Sequence, residues 1–114
     1  MLASIDVSSL YTNIPHDEGI QSTLHYLKHD PDAYKHPENP IPEIITELMS
    51  IVLKNNVFEF NGQFYLQIQG TAMGTKMAPT YANLFMGKLE EKLKDKGKPH
   101  ILLWKRFIDD IFII

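Results

Sequence analysis

Apolar and polar positions recur with two different periods along this chain, and the periods mark out its elements. Leu2 to Val7 is a short apolar run broken by Ser4 and Asp6, which predicts a strand with Asp6 near its end. Ser8-Ser9-Leu10-Tyr11-Thr12-Asn13 is rich in turn formers and predicts an irregular exit. Pro15 suits a first helical position, Asp17 and Glu18 suit a first turn, and Ile20, Leu24 and Leu27 recur at helical spacing, so a helix is expected over 15–29. Pro31, Pro37, Pro40 and Pro42 then predict a surface loop over 30–42. From Pro42 a second helix carries Ile44, Ile45, Leu48, Ile51 and Val52 as one apolar stripe, ended by Asn55-Asn56. Residues 57–60 and 63–68 are aromatic-rich runs on either side of Asn61-Gly62, the strongest short signal of a two-residue hairpin. Gln69 to Pro79 is a loop punctuated by Gly70 and Gly74. A helix from about Pro79 puts Ala82, Phe85, Met86, Leu89 and Leu93 on one face, and Gly97 and Pro99 stop it. Ile101 to Ile108 predicts a strand that delivers Asp109 and Asp110 to a turn, and Ile111 to Ile114 leaves that turn as another strand.

The order is therefore strand, helix, helix, hairpin, helix, strand, turn, strand. A sheet with segregated helices is an α+β arrangement. If the first and last strands are neighbours, Asp6 lies beside Asp109 and Asp110, and three carboxylates share one set of rigid strand ends. Adjacent anions repel, so this placement asks for a cation, and hard oxygen ligands suit a divalent ion such as Mg²⁺. Two such ions about 4 Å apart are what phosphoryl transfer uses to activate an attacking oxygen and stabilise a leaving one.

Composition narrows the picture without changing it. The chain has 114 residues, enough for one small domain, and its 44% apolar content supports a core. It has no cysteine, which excludes disulfides and thiolate metal sites and fits a reducing compartment. No run of about 18 apolar residues offers a membrane span, and the first residues carry no secretory pattern. The formal charge of −3 argues against a self-sufficient nucleic-acid binder. The chain opens inside a strand and stops four residues after the acidic pair, so a fragment with partner segments on both sides is expected. Other features have blander readings. His25 and His29 share a helix face but lack a third ligand. Met73, Met77 and Met86 read as core. Lys88, Lys92, Lys94, Lys96 and Lys98, interleaved with Glu90, Glu91 and Asp95, read as a solvated helix face.

Three blocks carry a resemblance. Ser4-Ile5-Asp6-Val7-Ser8-Ser9-Leu10-Tyr11-Thr12-Asn13-Ile14-Pro15 is similar to motif A of the reverse transcriptase palm. Gly70 to Met86, with Met73-Gly74 and Ala78-Pro79 inside it, is similar to motif B, and Trp104-Lys105-Arg106-Phe107-Ile108-Asp109-Asp110-Ile111-Phe112 to motif C. An Asp-Asp pair alone says little; three blocks in order, with an aromatic five residues after the first Asp, are specific. The aromatic hairpin before the second block resembles Penelope-like retroelements. The resemblance implies a polymerase palm-like antiparallel sheet with helices packed on one face and a β-hairpin between motifs A and B. It implies that residues 1–114 are a palm core without fingers, later palm motifs or thumb. By position, Asp6 and Asp109 would hold two Mg²⁺ ions (Mn²⁺ as substitute), Asp110 would be the third carboxylate, and Val7 would lend a backbone carbonyl. Tyr11 would lie under the sugar of the incoming dNTP and exclude a ribose. Met73, Gly74 and Pro79 would belong to the nucleotide-binding loop and helix; Met73 stands where many relatives have Gln, so no side-chain hydrogen bond is expected there. The implied partners are an RNA template, a DNA primer and dNTP, with no membrane and an intracellular location, the nucleus included. The fragment alone is expected not to polymerise. Two other readings stay open: a non-catalytic remnant or domesticated module that binds nucleic acid or protein, and an RNA-directed RNA polymerase.

Overall fold

The computed structural model describes residues 1–30, 32, 38–97 and 100–114. Three strands form the main sheet: β1 (Ala3–Asp6), β4 (Trp104–Phe107) and β5 (Asp110–Ile113), in the order β1-β5-β4. Both pairings are antiparallel, so the first and last strands are neighbours as the sequence suggested. β2 (Val57–Phe60) and β3 (Gln63–Leu66) form a separate hairpin. Among the described residues, four helices complete the α+β fold: α1 (Leu10–Asn13), α2 (His16–His29), α3 (Pro42–Lys54) and α4 (Ala78–Gly97).

Strand register decides which residues face the same way. Asp6 stands opposite Asp110 and Ser4 opposite Phe112, whereas Ile5 stands opposite Ile111 and Arg106 opposite Ile111 from the other side. Because side chains alternate along a strand, the carboxylates of Asp6 and Asp110 share one face, and Ile5, Ile111, Arg106 and Trp104 share the other. α4 covers that second face. Ile111 joins Tyr81, Ala82 and Met86 in the buried core, together with Leu10, Ile14 and Leu53. The first face carries Asp6, Asp110 and Phe112 exposed. The sheet thus has one covered face and one open face.

Local chemistry explains where the elements depart from expectation. The exit after β1 contains a short helix, α1, rather than irregular chain. Ser9 enters it in the left-handed region (φ 51°), Thr12 Oγ1 donates to Ser9 O (3.1 Å), and Asn13 Nδ2 donates to Ser8 O (3.2 Å), so the turn formers close a helical turn around buried Leu10. Pro15 caps α2 rather than starting it, because its extended ψ of 133° lies outside the helix. The strand expected over 101–108 narrows to β4; Leu102 and Leu103 still donate to Ile114 O, which continues the pairing less regularly. Asp110 is the first residue of β5 rather than part of the turn, because it pairs with Phe107. α3 buries Thr46 and Leu53 and leaves Ile44, Leu48, Ile51 and Val52 of its apolar stripe exposed. Asn61 (φ 51°) and Gly62 (φ 76°) both have positive φ, the corner geometry of a tight hairpin, and Phe58 stacks on Tyr65 across it (5.6 Å). Met86 is buried and Met77 packs on the core, but Met73 is 77% exposed, so it is not core. Lys92, Lys94 and Lys96 are exposed as expected, while Lys88 is half-buried and hydrogen-bonds His25 and Glu91. Pro31, Pro37, Lys98 and Pro99 lie outside the described residues. Among those described, no helix is long and apolar enough to cross a membrane.

The α2–α4 contact is the tightest point of the helical layer. Tyr81 of α4 is 1% exposed, and a Cβ built on Gly19 of α2 would collide with its hydroxyl. Burial, with the Asp17 charge adding to it, pushes the Tyr81 phenol up to about 12. Gly19→Ala should therefore overpack the interface and cost about 1–3 kcal/mol. Urea unfolding of this variant against wild type measures it; an unchanged midpoint would show that the helices can part without loss.

Candidate metal and nucleotide site

The site is built by a hairpin and its neighbour strand. β4 and β5 are joined by two residues, Ile108 and Asp109, flanked by the pair Phe107–Asp110. Such a short turn needs positive φ, and Ile108 supplies it at 55°. A β-branched residue is strained there, at a cost of about 1–3 kcal/mol, so surrounding contacts must hold it. Two do. Arg106 Nη1 donates to Ile108 O at 2.9 Å, and the Val7 amide, just after β1, donates to Asp109 O at 3.0 Å. The corner is thus fastened from β4 on one side and from β1 on the other.

The fastening gathers the three acids. Asp6 ends β1, Asp109 sits in the turn and Asp110 opens β5; carboxylate oxygens of all three lie within 4.8 Å of one another. Asp6 and Asp110 are exposed and Asp109 is half-buried. Among the described residues no side chain pairs with any of them. Three like charges this close repel, and the set offers only hard oxygen donors, the donor type that divalent Mg²⁺, Mn²⁺ or Ca²⁺ selects. The residues present therefore fit a divalent cation.

A second assembly ties the glycine loop to the chain that follows β1. Gly70 N donates to Ile14 O (2.9 Å) and Thr71 N to Tyr11 O (2.7 Å). Gln69 Nε2 donates to Asn13 O (2.9 Å), and His16 Nε2 donates to Gly70 O (2.7 Å). Gly70 lies at φ +75°, and a Cβ there would run into the backbone of Tyr11 and Thr12. Only glycine lets the two segments approach so closely. Tyr11 is half-buried against the core. Further along, Met73 and Gly74 are exposed on the loop, and Pro79 is exposed at the start of α4. The structure thus brings the three acids together with Val7 beside them, and leaves Met73, Gly74 and Pro79 on the surface of the loop and helix start.

The family model described as "Reverse transcriptase (RNA-dependent DNA polymerase)" matches residues 1–114. The chain belongs to the reverse transcriptase family. Among curated proteins, none matches it. Members of this family are nucleotidyltransferases of the RNA-directed DNA polymerase kind, which act on nucleic acid and generally use a divalent metal.

Two residues around the acidic turn escaped sequence reasoning. Glu90, expected on a solvated charged face, is 8% exposed. Its signal was available: Ala82, Met86 and Glu90 are four apart, so Glu90 falls on the buried stripe of α4. Arg106 carries no local signal beyond its motif, because its contacts to Glu90 and Ile108 depend on tertiary structure.

Loop attachment separates the two glycines by experiment. Gly70→Ala should destabilise the chain by at least about 1 kcal/mol, since both φ and the close backbone forbid a side chain. Gly74→Ala, where a Cβ would meet nothing within 4 Å, should stay within about 0.5 kcal/mol of wild type. Denaturant midpoints of the two variants decide it, and equal losses would contradict the attachment.

Proposed function

We propose that this chain is the palm core of a retroelement reverse transcriptase, of Penelope-like type, and carries its nucleotidyl-transfer centre. The observation that supports it most is the convergence of Asp6, Asp109 and Asp110 within 4.8 Å at adjoining strand ends. In the reaction, the primer 3′-hydroxyl oxygen attacks the α-phosphorus of a dNTP. The bond from that phosphorus to the bridging oxygen breaks, and pyrophosphate leaves. Pairing with an RNA template selects the dNTP.

Asp6, Asp109 and Asp110, with the Val7 carbonyl, would hold two Mg²⁺ ions. When bound, they lower the pKa of the attacking hydroxyl and offset charge on the phosphate oxygens. The chain's own part is positional. The carboxylates sit on strand ends and a fastened corner, so little reorganisation is needed to meet a ligand. Tyr11 lies on the segment joined to the Gly70 loop, and its ring is the surface under the sugar, excluding a 2′-hydroxyl by bulk. The exposed backbone at Met73-Gly74 and the α4 start at Pro79 face the nucleotide and template. The Met73 side chain makes no specific polar contact in this reading.

Two measurements test it. In primer extension by the polymerase carrying this chain, Asp109→Asn should abolish incorporation while far-UV circular dichroism stays unchanged. Wild-type rates in that variant would overturn the assignment, and a wild-type protein that binds template but never extends would turn it towards a non-catalytic module. Tyr11→Ala should raise ribonucleotide incorporation relative to dNTP. Equal use of both nucleotides by the unaltered protein would favour an RNA polymerase instead.

A further inference from the structure

The largely buried ion pair behind the acidic turn reaches the turn directly. The side chains of Glu90 on α4 and Arg106 on β4 are 11% and 13% exposed, with Arg106 Nε on Glu90 Oε1 at 2.8 Å. The same Glu90 oxygen accepts from Trp104 Nε1 at 2.8 Å. The guanidinium is then used almost completely. Its Nη1 donates to Asn83 Oδ1 at 2.7 Å and to Ile108 O at 2.9 Å, and its Nη2 approaches Asn83 O at 3.4 Å. A planar fork anchored on α4 by Glu90 and Asn83 thus points one donor at the carbonyl of the strained corner residue. The next residue is Asp109, whose carbonyl accepts from Val7 N. The path runs α4, Arg106, Ile108, Asp109, β1 without a gap.

We propose that Glu90 and Arg106 are positioning residues: the pair fixes the Ile108–Asp109 corner against α4 and so sets the spacing of the Asp6, Asp109 and Asp110 carboxylates for a divalent cation. This rests on the metal-holding role proposed above for those acids. The bond to Ile108 O adds nothing to the α4–sheet contact and acts on the turn. Lysine cannot replace arginine here, since a single ammonium on a flexible stem cannot hold Glu90, Asn83 and Ile108 in one plane.

The test uses this chain, Mn²⁺ as the probe, electron paramagnetic resonance to count free Mn²⁺, and amide hydrogen exchange. Arg106→Lys should weaken Mn²⁺ binding by about 10- to 100-fold, the range for groups that orient metal ligands. It should also speed exchange at the Val7 amide, while the amides of α2 keep their protection. Asp109→Asn is the control, expected to weaken Mn²⁺ binding with Arg106 intact. If Asp109→Asn weakens binding and Arg106→Lys does not, the positioning role is overturned and the metal reading stands. If wild type binds no Mn²⁺, the metal reading falls and takes this inference with it. If Val7 exchange rises but Mn²⁺ affinity does not change, the pair orders the turn without setting the site, which also overturns the proposal. Should Arg106→Lys unfold the chain, Glu90→Gln keeps an acceptor oxygen but removes the charge that holds Arg106, and it should likewise weaken Mn²⁺ binding; an unchanged affinity there would overturn the positioning role. Loss of α2 protection in both variants would make the pair a fold element only and overturn the positioning role.

Discussion

Everything in this domain depends on the register between its first and last strands. Asp6 meets Asp110 across β1 and β5 because Ile5 meets Ile111 on the opposite face, where α4 buries it. A slip of one residue would turn Ile111 to the open face and point an acid at Tyr81 and Met86. Burial of one isoleucine and convergence of the acids are thus the same constraint seen from the two faces of a sheet. About a hundred residues separate the strands, and α4, which buries Ile111, comes from that intervening chain.

Closure is reinforced at the corner. The two-residue turn forces Ile108 into a conformation that β-branched residues avoid, and the compensation comes from outside the hairpin. Arg106 holds the corner carbonyl, Val7 holds the next one, and Glu90 holds Arg106. The Gly70 loop is joined to the segment after β1 by four further hydrogen bonds. The chain after β1, the loop before α4 and the corner before β5 therefore form one connected frame, although they are distant in sequence.

Much of this was legible in the residues. Period-two and period-3.6 patterns located the strands and the long helices, and Asn61-Gly62 located the hairpin, because those signals are local. Asp6 and the acidic pair were legible for the same reason: acids among apolar strand residues are conspicuous. What escaped was decided by tertiary contacts. The helix at Leu10–Asn13 is closed by side-chain bonds that turn formers make equally well outside helices. Asp110 read as a turn residue because the two-residue corner could fall at either of two positions in Phe107-Ile108-Asp109-Asp110. The α3 stripe is apolar yet exposed, which no periodicity can reveal. Glu90 looked like one more charge in a lysine-rich helix, and only its partners on β4 show why it is buried.

Glu90 has a second partner on β4, Trp104. It is the chain's single tryptophan, and its indole N–H donates to the very oxygen that holds Arg106. Lys94 Nζ stands 5.8 Å from its ring centroid. The intrinsic tryptophan emission of this protein therefore comes from one chromophore, bonded to the carboxylate behind the corner that carries Asp109. The molecule has an optical label at the back of its acidic turn, placed there by the fold and needing no dye.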